Sequence, residues 1–223
     1  MDIAILIYPR LTALDAVGPY EVLSRLPDAK VTFVAEHAAA LRTDTGQLGL
    51  LADATLEELP NPEIVLVPGG PGQTAMMEDG PVHAWLRAAD ATSTWTASVC
   101  TGSLILGAAG ILAGKRATSN WQALEDLRSL GAEVVPERVV FDGKYVTSAG
   151  VTAGLDMALS LAAKIAGDQV AQAIQLGLEY DPEPPFDSGS PAKAPAEIVE
   201  AVRAYSRFEQ SPERMGASEV PVS

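Results

Sequence analysis

The chain contains one cysteine, Cys100, and it stands where a thiol can do chemistry. It follows the apolar run Trp95–Val99 and precedes Thr101-Gly102-Ser103, so it is predicted to lie where a buried strand turns into a helix. The start of a helix carries unpaired N–H groups and a partial positive charge, which lower the pKa of a nearby thiol. The alternative is a buried structural cysteine, since free cysteine is among the most buried residues. The position of Cys100 at a strand–helix junction favours the interpretation that it is a nucleophile.

Asp15 is the candidate acid–base partner of this thiol. It follows the first predicted strand, residues 2–8, and precedes Ala16-Val17-Gly18-Pro19. Loops that follow parallel strands lie at one edge of the sheet, so Asp15 is expected at the same edge as Cys100. Its alternative role is to cap the helix that begins there, and the two roles are compatible.

The Pro68-Gly69-Gly70 segment ends a third apolar run, residues 63–67. Glycine lets the backbone approach a substrate atom closely, so this turn is a candidate binding element. The two histidines, His37 and His83, are both distant from the cysteine in sequence, which gives a Cys–His dyad little support. No dinucleotide fingerprint, P-loop lysine or cluster with metal-ligand spacing is present, so neither a cofactor nor a metal is expected.

Short apolar runs alternate with helical patterns along the chain. This alternation predicts an α/β fold with a mostly parallel sheet and helices on both faces, a three-layer sandwich. We expect one domain over residues 1–208 and a flexible tail over 209–223. Strands are predicted over 2–8, 30–35, 63–67 and 95–99, and helices over 15–26, 82–91, 104–112, 121–130, 152–166, 169–178 and 196–208.

Composition and charge exclude several classes of partner. The formal net charge is −14 and no run of lysine or arginine interrupts it, which disfavours nucleic acid and anionic membranes as partners. No apolar run approaches the ~20 residues of a membrane span, and the N-terminus lacks the basic region of a signal peptide. A single cysteine is typical of a reducing compartment, so a cytoplasmic location is expected.

The motifs together resemble the ThiJ/PfpI superfamily, and within it most closely the isonitrile hydratases. The superfamily resemblance rests on three segments, Val67-Pro68-Gly69-Gly70, Ser98-Val99-Cys100-Thr101-Gly102-Ser103 and Leu106-Gly107-Ala108-Ala109-Gly110. The closer resemblance rests on three more, Leu14-Asp15-Ala16-Val17-Gly18-Pro19, Gly114-Lys115-Arg116-Ala117-Thr118 and Val151-Thr152-Ala153-Gly154-Leu155-Asp156.

This resemblance implies a flavodoxin-like fold of the class I glutamine-amidotransferase type, a homodimer, no cofactor and a small-molecule substrate. The implied reaction is hydration of an isonitrile to an N-substituted formamide through a cysteine thioimidate. By motif, Cys100 is the nucleophile, Asp15 the acid–base carboxylate and Thr101 a neighbouring hydroxyl. The N–H groups of Gly70 and Thr101 are candidates to stabilise developing charge. The implied substrate-binding residues are Gly69, Gly70, Asn120, Trp121 and Gly150.

Two positions depart from patterns in related sequences. The peptidase-like branch has histidine directly after its cysteine, where this chain has Thr101, so a protease is disfavoured. Relatives often have histidine where this chain has Asn120, which leaves the substrate range open. Two alternatives also stay open: a glyoxalase- or deglycase-like enzyme acting on small dicarbonyls, and a non-enzymatic redox sensor in which Cys100 is oxidised.

Overall fold

The structure is a computed structural model that describes residues 1–205. The chain divides into a compact unit, Met1–Pro182, and a second unit from Glu183 onwards. The second unit contains one described helix, α7 (Ala196–Ala204). The end of the predicted domain at residue 208, the last turn of its predicted helix and the predicted tail 209–223 lie outside the described residues.

The first unit alternates strands and helices. Its strands are β1 (Asp2–Leu6), β2 (Lys30–Ala35), β3 (Ala40–Arg42), β4 (Gly49–Leu51), β5 (Ala54–Thr55), β6 (Ile64–Val67), β7 (Trp95–Val99), β8 (Arg116–Ala117), β9 (Glu133–Val134), β10 (Val139–Asp142) and β11 (Tyr145–Ser148). Its helices are α1 (Ala13–Leu23), α2 (Pro81–Thr92), α3 (Gly102–Ala108), α4 (Leu124–Ser129), α5 (Ala153–Ala166) and α6 (Asp168–Gly177), and a 3₁₀ helix covers Pro71–Met76.

Seven strands form the main sheet, in the order β10-β11-β7-β6-β1-β2-β5. Every neighbouring pair is parallel except β10 and β11, which form an antiparallel hairpin at one edge. Helices α1, α5 and α6 pack together on one face, and α2, α3 and α4 pack together on the other. The predicted three-layer α/β fold with a mostly parallel sheet is therefore confirmed.

The central strands are apolar because both of their faces are covered. Every residue of β6 is buried, as is β1 from Ile3 to Leu6. A strand covered by helices on both sides has no solvated face, so it reads as a continuous apolar run rather than as an alternating pattern. This is the pattern by which residues 2–8 and 63–67 were predicted as strands.

Three predicted helices have clearly different limits in the structure. Helix α1 spans Ala13–Leu23 rather than residues 15–26. Helix α3 begins at Gly102 and ends at Ala108, rather than spanning residues 104–112, because Gly110 takes a φ of 81° that ends the helical backbone. Helix α4 begins only at Leu124, after an irregular segment in which the Gln122 N–H donates to the side chain of Asn120. This local bond offers the backbone an alternative to the helix.

The order of the sheet brings the functional loops together. Strand β6 lies between β1 and β7, and β11 lies on the other side of β7. The strands are parallel, so the loops after all four leave the same edge. The chain reverses its direction of travel across the sheet between β1 and β6, and ligands of such sheets bind beyond the carboxyl ends at that point. Among residues 1–205, no helix is long and apolar enough to span a bilayer.

Gly102 sets the approach of α3 to the end of β6. A Cβ at this position would lie 2.0 Å from the Val67 carbonyl oxygen and 2.8 Å from its carbon. We predict that Gly102→Ala costs at least about 1–3 kcal/mol of stability, because backbone atoms must move. The melting temperature, measured by circular dichroism, should then fall by roughly 2–4 °C for each kcal/mol.

Gly177→Ala is the matched control for this substitution. Gly177 ends α6, and no atom lies within 4 Å of the position that a Cβ would take there. Alanine at this position should therefore leave the melting temperature unchanged or raise it. A Gly102→Ala protein as stable as the wild type would show that the close approach of α3 to β6 does not require glycine.

Candidate active site

Cys100 occupies a strained backbone position at the end of β7. Its φ is 56°, in the left-handed region that non-glycine residues rarely adopt, and its side chain is completely buried. Its N–H donates to the Ser148 carbonyl oxygen at 3.1 Å. Its carbonyl oxygen accepts hydrogen bonds from the hydroxyls of Ser103 and Ser119. Such strain persists only where the surroundings over-determine it, and it is common at nucleophile elbows.

Asp15 lies in the first turn of α1 and is completely buried. The prediction that it caps this helix was wrong: the N-cap is Thr12, and Asp15 is the third residue of the helix. Its Oδ2 instead accepts the Gly69 N–H at 3.0 Å. The carboxyl is thus held against the loop after β6.

The Pro68–Gly70 loop lies between Asp15 and the elbow. The Gly70 N–H donates to Thr101 Oγ1 at 3.0 Å. A Cβ on Gly69 would lie 2.4 Å from the Thr101 nitrogen and 2.6 Å from its Oγ1, so only glycine fits this approach. The loop therefore bonds the carboxyl on one side and contacts Thr101 on the other. The Gly70 N–H, expected to face developing charge, is already used by the Thr101 hydroxyl.

Tyr8 belongs to this site and was missed from the sequence. It is buried at the end of the first apolar run, and its hydroxyl donates to the Pro68 carbonyl oxygen at 2.8 Å. Burial raises the pKa of Tyr8 well above 10.0, and the negative charges of Asp15 and Cys100 raise it further. Tyr8 therefore stays neutral and shares one electrostatic environment with both residues. The one feature of the sequence that could have indicated a role for Tyr8 is its position at the end of the first apolar run, directly before Pro9.

A second wall of the site comes from the segments after β8 and β11. Asn120 is almost fully buried, and its Oδ1 accepts the Gln122 N–H at 3.0 Å. Its Nδ2 lies 2.6 Å from the position a Cβ would take on Gly150. These two predicted binding residues therefore contact each other, and Ser119 connects the same segment to Cys100. Trp121, the next predicted binding residue, is only partly buried.

The two histidines lie outside this cluster. His83 is buried in α2, where its Nε2 lies 2.8 Å from the Met76 carbonyl oxygen, and His37 is exposed between β2 and β3. Within residues 1–205, no group of three or more His, Cys, Asp or Glu side chains is placed to hold a metal ion.

An open groove of about 410 Å³ lies elsewhere on the first unit, at the end of α1 and along α6. None of the predicted site residues lines it. Its walls are formed by Arg25, Gln169, Val170, Ala173, Ile174 and Gly177.

The fold agrees with three comparisons with known proteins. The model of the DJ-1/PfpI family matches residues 1–164. The isonitrile hydratase of Pseudomonas putida is 45% identical over 91% of this chain and 89% of its own length. A ThiJ/PfpI family protein from Pseudomonas syringae has a TM-score of 0.89 and 39% identity over 92% of this chain and 85% of its own. Drosophila melanogaster DJ-1beta gives 0.73 and 25% identity, covering 80% of this chain and 97% of its own.

We predict that Tyr8→Phe destabilises the protein by about 1–3 kcal/mol at neutral pH, because the buried Pro68 carbonyl loses its donor. The raised pKa adds a pH signature. Above pH 10.0 an unfolded tyrosine ionises while the folded one does not, so the stability that Tyr8 contributes is lost as pH rises. Urea unfolding between neutral and alkaline pH should therefore give a shallower alkaline decline for Tyr8→Phe than for the wild type.

Tyr205→Phe is the control, since Tyr205 is 73% exposed in the second unit. It should leave the stability at neutral pH unchanged. If Tyr8→Phe also matched the wild type at every pH, the hydrogen bond to Pro68 would contribute nothing to stability.

Proposed function

The chain belongs to the DJ-1/PfpI family, and from this membership we propose that it is an isonitrile hydratase. It converts an isonitrile and water into an N-substituted formamide with no cofactor. The observation that carries the proposal is its similarity, along nearly the whole chain, to a protein of that name. Cys100 and Asp15 are both completely buried and both interact electrostatically with Tyr8, and a thiol and a carboxyl are the groups that this reaction needs.

Cys100 is proposed to attack the isonitrile carbon as a thiolate. Carbon then needs a proton, and a protonated Asp15 supplies it, which gives a thioimidate, S–CH=N–R. Burial away from water disfavours a charged carboxylate, and a nearby thiolate disfavours it further. The burial of Asp15 favours the neutral acid that begins the cycle, while the Gly69 N–H that its Oδ2 accepts favours the carboxylate formed later in the cycle.

Hydrolysis of the thioimidate uses the same two groups. The Asp15 carboxylate takes a proton from water as the water oxygen adds to the thioimidate carbon. Asp15 then returns this proton to nitrogen. The tetrahedral adduct collapses when its hydroxyl proton passes back to Asp15, the formamide C=O forms and the Cys100 thiolate leaves. The cycle ends as it began, with a thiolate and a protonated carboxyl, so atoms and charges balance.

We propose that Thr101 fixes the position of the Pro68–Gly70 loop relative to Cys100. Its hydroxyl accepts the Gly70 N–H, and its own backbone lies against Gly69. A hydroxyl that rotates can release the Gly70 N–H toward charge that develops on the substrate. This role would explain why a small hydroxyl follows the nucleophile.

The remaining predicted binding residues are proposed to contact the substituent on the isonitrile nitrogen. Asn120, which is buried, and Gly150, which is partly exposed, form one wall, with the amide nitrogen of Asn120 facing Gly150. The Oδ1 of Asn120 is held by the Gln122 N–H, so the side chain offers donors rather than an acceptor at that wall. Trp121 would extend the wall toward solvent. Gly69 and Gly70 line the opposite side.

The two alternative functions have less support. A glyoxalase- or deglycase-like mechanism usually places a histidine or glutamate beside the cysteine, but His83 is bonded to the Met76 carbonyl and His37 is exposed. A redox sensor would use the same thiol, and the similarity along nearly the whole chain to an isonitrile hydratase favours hydration over it.

We predict that Cys100→Ala abolishes formamide production from a simple alkyl isonitrile, because no group remains to form the thioimidate. Asp15→Asn should lower kcat by about 10²–10⁴, since it keeps an acceptor for the Gly69 N–H but cannot transfer protons. Formamide is quantified by chromatography. Asp126→Asn is the control, an exposed carboxylate in the first turn of α4, and it should retain full activity.

Failure to turn over any of several isonitriles would refute the proposed function. Turnover of a small dicarbonyl by the same protein would then favour the deglycase alternative.

We also propose that the protein acts in the cytoplasm as a homodimer, with the β3–β4 hairpin in the interface. Leu48 and Leu51 on this hairpin are 49% and 62% exposed, and Leu14, beside Asp15, is 39% exposed. The hairpin is fixed beside the site, since the Thr12 hydroxyl donates to Asp44. Apolar side chains exposed on one region are typical of a surface that a second copy covers.

We predict that Leu51→Glu shifts the protein to monomer in sedimentation velocity, because a buried unpaired charge would oppose association. Leu176→Glu, at a 78% exposed position on α6, should leave the dimer intact. The opposite pattern, a monomer from Leu176→Glu alone, would place the interface on α6 instead.

A further inference from the structure

We propose that Ser119 is a positioning residue for the nucleophile, with its hydroxyl holding the carbonyl of Cys100 so that the thiol points into the site. This inference rests on the proposed function, in which Cys100 attacks the substrate. Ser119 itself is buried and need not touch the substrate. The hydrogen bonds of the Cys100 backbone carry the inference.

The carbonyl of Cys100 lies outside the hydrogen-bond ladder of α3. The Leu104 N–H donates to the Thr101 oxygen at 3.0 Å, so the ladder begins one residue after the nucleophile. With a φ of 56°, Cys100 turns the chain sharply between strand and helix. A buried carbonyl needs a donor from elsewhere, and here hydroxyl groups supply it.

Two hydroxyls serve this carbonyl, but they are not equivalent. Ser103 Oγ lies 3.1 Å from the oxygen and Ser119 Oγ lies 2.9 Å from it. Ser103 is on the first turn of α3, directly after the elbow, so it moves with the elbow. Ser119 belongs to a separate segment, between β8 and α4, and can therefore fix the elbow relative to the sheet.

The segment that carries Ser119 is itself bonded to the sheet. The Thr118 N–H donates to Thr147 Oγ1 at 2.8 Å, and Thr147 lies in β11, beside β7. The Cys100 N–H donates to Ser148 of the same strand. Both polar groups of the Cys100 backbone are thus tied to β11, one directly and one through Ser119.

Without the Ser119 hydroxyl, only the N–H of Cys100 would still be tied to β11. The elbow could then relax from its strained conformation by rotating about the Cys100 backbone, and the thiol would change direction. A displacement of about 1 Å at a reacting group can cost about 10²-fold in rate. The effect should fall on kcat and on the reactivity of the thiol, not on substrate binding.

The test compares Ser119→Ala with Ser93→Ala. Ser93 is also buried and also donates to a backbone carbonyl, that of Asp90, but it lies just before β7 begins, at the end remote from Cys100. Each variant is assayed for kcat and KM with an alkyl isonitrile, for the rate of Cys100 alkylation by iodoacetamide, and for melting temperature. The chain has one cysteine, so alkylation reports on it alone.

We expect Ser119→Ala to lower kcat and the alkylation rate by about 10- to 100-fold, with KM changed by less than about 3-fold. Ser93→Ala should lower the melting temperature to a similar degree and leave both rates unchanged. Wild-type rates in Ser119→Ala, or equal losses in both variants, would overturn the inference. If Ser119→Ala does not fold, Ser119→Thr decides: it keeps the donor, and a folded Ser119→Thr protein with both rates lost would contradict the role.

The alkylation arm separates the two proposals. If the wild type fails to hydrate isonitriles, the proposed function falls, yet slow alkylation of Ser119→Ala would still support the positioning role. If hydration occurs and alkylation is unaffected by Ser119→Ala, the positioning role falls alone.

Discussion

The structure depends on holding one non-glycine residue, Cys100, in a left-handed backbone conformation inside the protein. That conformation costs about 1–2 kcal/mol relative to an ordinary one, and it also takes the carbonyl of Cys100 out of the α3 ladder. Hydrogen bonds to the surroundings offset this cost. The hydroxyls of Ser103 and Ser119 donate to the Cys100 carbonyl oxygen, and the Cys100 N–H donates to the Ser148 carbonyl oxygen. Gly102, directly after the elbow, must then be glycine for α3 to approach β6.

A second constraint is electrostatic. Asp15, Tyr8 and Cys100 share a buried environment: burial raises the pKa of Tyr8, and negative charge on Asp15 or on Cys100 raises it further. Tyr8 meets this constraint by remaining neutral and donating to Pro68, which also fixes the loop whose Gly69 N–H binds Asp15. The loop after β6 therefore connects the carboxyl to the elbow, and the strand order places it between them. The order of the strands therefore determines which groups meet in the site.

The sequence predicted the parts of this arrangement that are local. Apolar runs located the central strands, and the residues around Cys100 located the elbow. The contacts that complete the site join distant residues: the Gly69 N–H reaches Asp15, and the Ser119 hydroxyl reaches Cys100. The hydrophobic periodicity of the sequence does not indicate which distant residues will contact each other. The helix cap assigned to Asp15 was wrong because α1 begins at Ala13, after Thr12, and so places the carboxyl within the first turn, where it bonds the loop after β6.

The central claim is that Cys100 forms a covalent thioimidate during turnover. The most direct test is rapid-quench mass spectrometry of the wild-type protein mixed with an alkyl isonitrile, followed by peptide mapping. The account predicts a transient species heavier by the whole mass of the isonitrile, with the added mass on the peptide that contains Cys100. Formamide production with no such species, or with the added mass on another residue, would contradict it.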